Sequence, residues 1–237
     1  VPDDLEGVSG PPRERRRLLD MLLGQLAPAY LRDLGQYREA LLSRNALLRH
    51  GDAKSLESVS AFGQVLARHG AALIAARLDL CRRWQKELAK LAPRLLAPED
   101  VLRLRYAPNV AASEDRLANE QAIRNRLQET WQRDVRERRT TAGPHRDDVA
   151  LWLNDREVGR YGSQGERRLT ALALKLASLG LVWQAKSAGH PVLLLVDDVL
   201  GELDRERRRR LLETVMGGAD QVFVALTEVP PREELPV

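Results

Sequence analysis

Two adjacent carboxylates, Asp197 and Asp198, follow an unbroken apolar run from Val192 to Val196. A run of that kind is the pattern of a strand in a parallel sheet covered on both faces. The carboxyl edge of such a sheet is where α/β proteins bind ligands. Neighbouring acids repel, and the repulsion raises one carboxyl pKa unless a cation offsets it. Mg²⁺ answers that need. One acid holds the ion, directly or through water, and the next accepts a hydrogen bond from a water that attacks a γ-phosphate. The blander alternative is a strand end whose acids cap the following turn.

A second set of residues precedes the acids with one long helix between them: Ser163-Gln-Gly-Glu-Arg-Arg168. Ser163 followed three residues later by Glu166 has the form of a capping box, a device that starts helices. The same residues can also receive a phosphate. Gly162 and Gly165 let backbone N–H groups approach an anion at a helix N-terminus, and Arg167 and Arg168 add positive charge.

The elements that must position these groups change character near Thr140. Before it, the period is helical. Pro28 opens a helix with Leu31, Leu34, Tyr37 or Arg38, Leu41, Asn45 and Leu48 recurring every three or four residues, ended by His50-Gly51-Asp52. A second helix is expected from Ser58 to Leu91, closed by Pro93 and Pro98. Its stripe is Phe62, Leu66, Leu73, Arg77, Leu80, Trp84, Leu88 and Leu91. A short connection makes the two antiparallel. Ser113 is the expected cap of a third helix, with Glu114 and Asp115 in its first turn and Leu117, Ile123, Leu127, Trp131 and Val135 on its apolar side.

After Thr140 the periods shorten. Val149, Leu151 and Leu153 alternate as in a strand, Asn154-Asp155 turns it, and Glu157 to Tyr161 is placed to pair back. A helix follows from about Arg167 to Trp183. Then come the strand Val192 to Val196, a basic helix Arg205 to Met216 and the strand Gln221 to Leu226. Strand, helix and strand in that order imply a parallel pair with a crossover.

Composition bounds the rest. The chain has 237 residues, of which 43% are hydrophobic, enough to build a core. No apolar run reaches the roughly 20 residues that span a bilayer. One cysteine, Cys81, excludes an internal disulfide, and a reducing cytoplasmic setting fits best. The net charge of +4 weakly favours an acidic partner such as nucleic acid. The arginines cluster at Arg13–Arg17, Arg136–Arg139 and Arg207–Arg210, where the plain reading is a solvated helix face. Four Trp, four Tyr and two Phe are too few for a binder that stacks single-stranded bases.

The order of Ser163-Gln-Gly-Glu-Arg-Arg168, a helix, Val192–Asp198, Gly201-Glu-Leu-Asp204 and a strand followed by Thr227 resembles the ABC-type ATPase head of DNA-repair proteins. Three further stretches narrow the resemblance to the RecF family of bacterial recombination mediators, over nearly the whole chain. They are Gly10–Asp20, Tyr37 with Ser43–Leu48, and Gly143-Pro-His-Arg-Asp-Asp148.

That resemblance implies an α/β fold: the C-terminal part of an ABC-type ATPase head, with a parallel sheet and crossover helices, plus an elongated antiparallel α-helical arm. Residues 1–12 would be the tail of a missing first ATPase lobe, 13–139 the arm, and 140–237 the C-terminal lobe with signature, Walker B and D-loop motifs. Ser163, Gln164 and Gly165 would hold the γ-phosphate of ATP bound to the other subunit of a homodimer. Asp197 would match the Mg²⁺-linked acid and Asp198 the acid that orients water. Asp204 would lie in the D-loop that crosses the dimer interface, and Thr227 at the switch position that senses the γ-phosphate. The implied partners are double-stranded DNA, gapped junctions, RecR and RecO.

The chain departs from the pattern in several places. No Gly-x-x-x-x-Gly-Lys-Ser/Thr occurs in it, so the isolated chain is expected to bind ATP poorly and to need a P-loop supplied from elsewhere. Glu166 puts a carboxylate near the phosphate position, Gly201 stands for the usual D-loop serine, and Ala225 precedes Thr227 by two positions. His145 is expected to be a satisfied partner in a turn, and Arg146 an ion-pair hub for Asp147 and Asp148. Phosphate contacts carry no sequence information, and the candidates for them are Arg13, Arg15, Arg16, Arg17, Arg136, Arg138 and Arg139. The competing reading is a non-catalytic module that binds DNA or a repair partner without nucleotide.

Overall fold

The computed structural model describes residues 5–50, 56–97, 99–185, 191, 193–197, 209, 212–213 and 220–225. They fall in two compact units, each built from separate parts of the chain. One unit is Gly10–Arg82 with Arg105–Ala150; the other is Val1–Ser9, Arg83–Leu104 and Leu151–Val237. The chain leaves one unit inside a long helix and returns to it along strands, an exchange that composition does not mark.

The Gly10–Arg82/Arg105–Ala150 unit is helical. Helix α2 (Pro12–Leu26) begins with proline at its first turn, where a missing N–H costs nothing. Helix α3 (Pro28–His50) ends with Arg49 and His50 facing the negative end of its dipole. Its buried side is Tyr30, Leu34, Tyr37, Ala40 and Arg44, while Leu31 stays half exposed, so the stripe is rotated from the expected one. Helix α4 (Leu56–Leu95) buries Leu66, Leu73, Arg77, Leu80, Trp84, Leu88 and Leu91 as the spacing predicts. It does not stop at Pro93, because a proline in the last turn leaves few hydrogen bonds to break. Helices α3 and α4 run antiparallel: Tyr30 meets Arg77, and Tyr37 lies against Gly70, about two turns earlier in α4.

The third helix divides. Helix α5 (Arg116–Glu129) is capped by Asp115, whose carboxylate accepts from the N–H of Leu117 at 2.9 Å. Ser113 props the preceding loop on Asn119 instead of capping. Thr130 separates α5 from α6 (Trp131–Glu137). The break rotates Val135 to the surface and Asp134 into the core, and Leu117 also remains exposed.

In the other unit, α1 (Glu6–Ser9) packs on α7 (Val158–Tyr161) and on α8 (Gln164–Gln184). The contact with α7 is close: a Cβ at Gly159 would lie 2.5 Å from the carbonyl oxygen of Val8. Trp84, near the end of α4, donates to the carbonyl of Leu174 in α8 at 3.2 Å. Strands β1 (Leu102–Ala107), β2 (Asp148–Leu153) and β3 (Arg156–Glu157) form a sheet in that order, of which Leu102–Leu104, Leu151–Leu153 and β3 fall in this unit. Asn154 turns β2 antiparallel into β3 with φ 55°. Only Arg156 and Glu157 pair back, because Val158–Tyr161 coils into α7. Strands β4 (Leu193–Asp197) and β5 (Gln221–Ala225) pair in parallel, with Leu195 opposite Phe223 and Asp197 opposite Ala225. Of the expected basic helix between them, the described residues Arg209, Leu212 and Glu213 are helical. Among the described residues, no helix is long and apolar enough to cross a membrane.

Candidate functional site

The first turn of α8 is built as the capping box requires. Ser163 Oγ accepts from the N–H of Glu166 at 3.2 Å, and the Glu166 carboxylate accepts from the N–H of Ser163 at 2.6 Å. These bonds hold the Glu166 carboxyl below its ordinary range, so it is ionised at neutral pH. Helix geometry leaves the first N–H groups without intrahelical partners, and no side chain among the described residues accepts from Gln164 or Gly165. Ser163, Gln164 and Gly165 are exposed, and a Cβ on Gly165 would meet open space. The helix start is thus accessible, with two open donors beside an anionic carboxylate.

Asp197 ends β4 at the carboxyl edge of the parallel pair. Its side chain, and the whole of Asp198, Asp204 and Thr227, lie outside the described residues. Among the described residues no group of three His, Cys, Asp or Glu side chains converges on a metal position.

A polar network the sequence reading missed occupies the core of the Gly10–Arg82/Arg105–Ala150 unit. The Arg77 guanidinium donates to Asp20 at 2.9 Å, to Asp147 at 3.1 Å and to the Pro144 carbonyl at 2.7 Å. Tyr106 and the N–H of Asn109 also donate to Asp147, and Tyr30 donates to Asp20. Arg44 and Asp134, both buried, pair at 2.8 Å, with Thr140 accepting from Arg44 and Thr141 donating to Asp134. The stretches Gly10–Asp20, Ser43–Leu48 and Gly143–Asp148 meet here, so they build this interior. The available signal was Arg77 itself, a charged residue in the middle of an apolar stripe.

His145 is the satisfied turn residue expected. Its Nδ1 accepts from Tyr37 at 2.7 Å and its Nε2 donates to the Thr140 carbonyl at 3.1 Å. Burial pushes its pKa down to about 4, which fixes the neutral ring. The preceding Gly143 has φ 127°, a backbone region closed to most side chains. Arg146 is not the hub: it is exposed, and Asp147 and Asp148 pair with Arg77 and Arg15.

The arginine candidates separate. Arg15 is buried and grips Asp148 with two bonds, at 2.8 and 2.6 Å, and Arg16 donates to the Asp147 carbonyl at 2.5 Å. Both are drawn inward because each carries a planar fork that satisfies buried acceptors. Arg13 and Arg17 are exposed beside Glu14. Arg136 and Arg138 are exposed, and Arg139 is exposed while bonded to Glu137.

No protein-family model matches the chain. It is 39% identical over 242 residues to the DNA replication and repair protein RecF of Oceanobacillus iheyensis, covering 97% of this chain and 63% of that one. The RecF of Bacillus mycoides is 39% identical over 234 residues, covering 97% and 62%. Two solved structures of the recombination mediator RecF in the RecFOR pathway share the fold. The ATPrS complex has a TM-score of 0.82 at 27% identity, covering all of this chain and 62% of that one. The ATP complex has a TM-score of 0.83 at 28% identity, covering 97% and 62%. The chain therefore spans somewhat less than two thirds of the relatives it matches, and its fold class is the expected one, part of an ABC-type ATPase head with a helical arm. In sequence and in fold, nearly the whole chain is similar to RecF proteins, as a stretch corresponding to about three fifths of them.

Proposed function

We propose that this chain is the signature-bearing part of a RecF-like DNA repair and recombination protein, an ATP-dependent dimerising clamp on double-stranded DNA at gaps. In the assembled protein a P-loop lobe supplies the cradle for the β- and γ-phosphates. Across the dimer, Ser163, Gln164 and Gly165 approach the γ-phosphate of the partner's nucleotide. Asp197 holds Mg²⁺, Asp198 orients the attacking water, Asp204 lies in the segment crossing the interface, and Thr227 senses the γ-phosphate. Bound Mg²⁺ supplies charge neutralisation for the triphosphate. RecR and RecO are the proposed protein partners, and the cytoplasm the proposed compartment.

The observation that carries this reading is the placement of Asp197 at the carboxyl end of a parallel strand, in a chain 39% identical to RecF proteins along 97% of its length. Exposure supports it too. Leu193, Leu195 and Phe223 lie open on the β4–β5 pair, whereas parallel sheets are ordinarily covered on both faces. A further lobe would cover them.

Arg136, Arg138 and Arg139 are the proposed contacts to DNA phosphates. Contacts of that kind orient a protein on the duplex without reading sequence.

Calorimetric titration with Mg-ATP tests the nucleotide part. This chain alone should give no heat of binding, and binding should appear on mixing with a lobe that carries the P-loop. Asp198→Asn should then lengthen the life of the ATP-bound dimer. Binding to the chain alone, or none in the mixture, would favour a nucleotide-independent interaction module.

A further inference from the structure

A groove of about 610 Å³ opens between α2 and α3. Five arginines line it against two carboxylates, Glu14 and Asp20. Both carboxylates are already engaged: Asp20 by Arg77 and Arg38, Glu14 by Arg17 at 3.6 Å.

Arg16 is the unusual member. One of its nitrogens donates to the Asp147 carbonyl, and no carboxylate among the described residues comes within ion-pair distance of it. The acids nearest in sequence to that carbonyl, Asp147 and Asp148, are held by Arg77 and Arg15. Partial burial, reinforced by Arg77, lowers the pKa of Arg16 against the opposing pull of Asp148, Asp147 and Asp20, none of which pairs with it directly. Its remaining donors are left for an anion from outside.

The rest of the rim is apolar. Met21 is 41% exposed and Leu31 51%, above a floor that includes Leu34 and Leu73. Exposed apolar side chains rimmed by charge mark surfaces that bind other proteins. Duplex DNA would use the arginines and leave the leucine and methionine uncovered, since its backbone offers phosphates and sugars. A peptide that alternates acids with Leu or Phe uses both, and the volume lies in the range that accepts one or two such side chains.

We propose that the α2–α3 groove docks an acidic segment bearing apolar side chains from a protein partner. Arg16, Arg17 and Arg38 receive its carboxylates, and Met21 and Leu31 cover its apolar residues. The site needs no nucleotide, so it stands or falls apart from the ATP-clamp reading.

Fluorescence anisotropy on the full chain tests it, with a short labelled peptide alternating Asp and Leu as probe and the Asn-Leu counterpart as control. The acidic peptide should bind, and the neutral one roughly tenfold or more weakly. Leu31→Glu places a repelling charge at a half-exposed rim position without disturbing the core, and should weaken binding by about tenfold, as should Arg16→Gln. Leu31→Glu should leave binding of a DNA duplex unchanged. Equal binding of both peptides, or indifference to Leu31→Glu, overturns the proposal. So does displacement of the peptide by duplex DNA, which would make the groove a nucleic-acid surface. Self-association abolished by Leu31→Glu would also overturn it, by giving the groove to a second copy of the chain.

Discussion

Arg77 Nη1 lies 3.1 Å from Asp147 Oδ2, with both side chains withdrawn from solvent. Burial raises the Asp147 carboxyl above the usual range, and Arg77 is the foremost influence pulling it back down. Deleting one partner of a buried pair strands the other charge, at a cost of about 3–5 kcal/mol. Arg77→Ala also takes one of its two arginines from Asp20, which keeps Arg38 and Tyr30. Urea unfolding should show a loss of at least that order, and a loss below about 1 kcal/mol would mean the pair is solvated.

His145 gives the chain an acid-sensitive point. Its folded pKa of about 4 lies below that of a free imidazole, so on acidification the unfolded chain takes up the proton first. Stability held above about pH 6.5 should be lost as pH falls toward 4, by roughly 2–3 kcal/mol. His145→Gln removes this uptake. Urea midpoints at neutral and mildly acidic pH should therefore diverge more for the native chain than for the variant. Equal divergence would show that His145 titrates as if exposed.

The α8 capping box has a separable structural value. Ser163→Ala should cost about 1 kcal/mol of stability, whereas Ser163→Asp, which caps equally well, should cost little. Thermal melts followed by circular dichroism read both. Equal losses would point to a hydroxyl role other than capping.

If Arg136 and Arg138 contact DNA phosphates, neutralising each should flatten the log–log dependence of affinity on salt by roughly 0.9. Arg138→Asn suits the left-handed φ of 53° at that position, since asparagine tolerates that region. Arg136→Gln completes the pair. Filter binding across a salt series provides the slopes, and an unchanged slope removes both residues from the interface.

Local signals were legible where one residue type decides the backbone. The serine–glutamate pair starts α8, and the apolar run before Asp197 became a parallel strand. Strand β1 was legible but unread: Leu102, Leu104 and Tyr106 alternate with arginines, a period of two hidden by the surrounding helices. The Arg44–Asp134 and Arg77–Asp147 pairs were not readable, because their partners lie 90 and 70 residues apart. Only the fold brings them together. The same distance misled the assignment of Arg15 and Arg16 to a solvated face, since their acceptors are Asp148 and the Asp147 carbonyl.

Ser163 is proposed to meet a triphosphate across a dimer. Ser163→Asp preserves the cap but sets a carboxylate where the γ-phosphate must come. The decisive measurement is sedimentation velocity of the assembled protein, P-loop lobe included, with and without Mg-ATP. Native protein should dimerise with nucleotide, and Ser163→Asp should bind nucleotide yet remain monomeric. A dimer of undiminished affinity in that variant would contradict the account and leave Ser163 a helix cap alone.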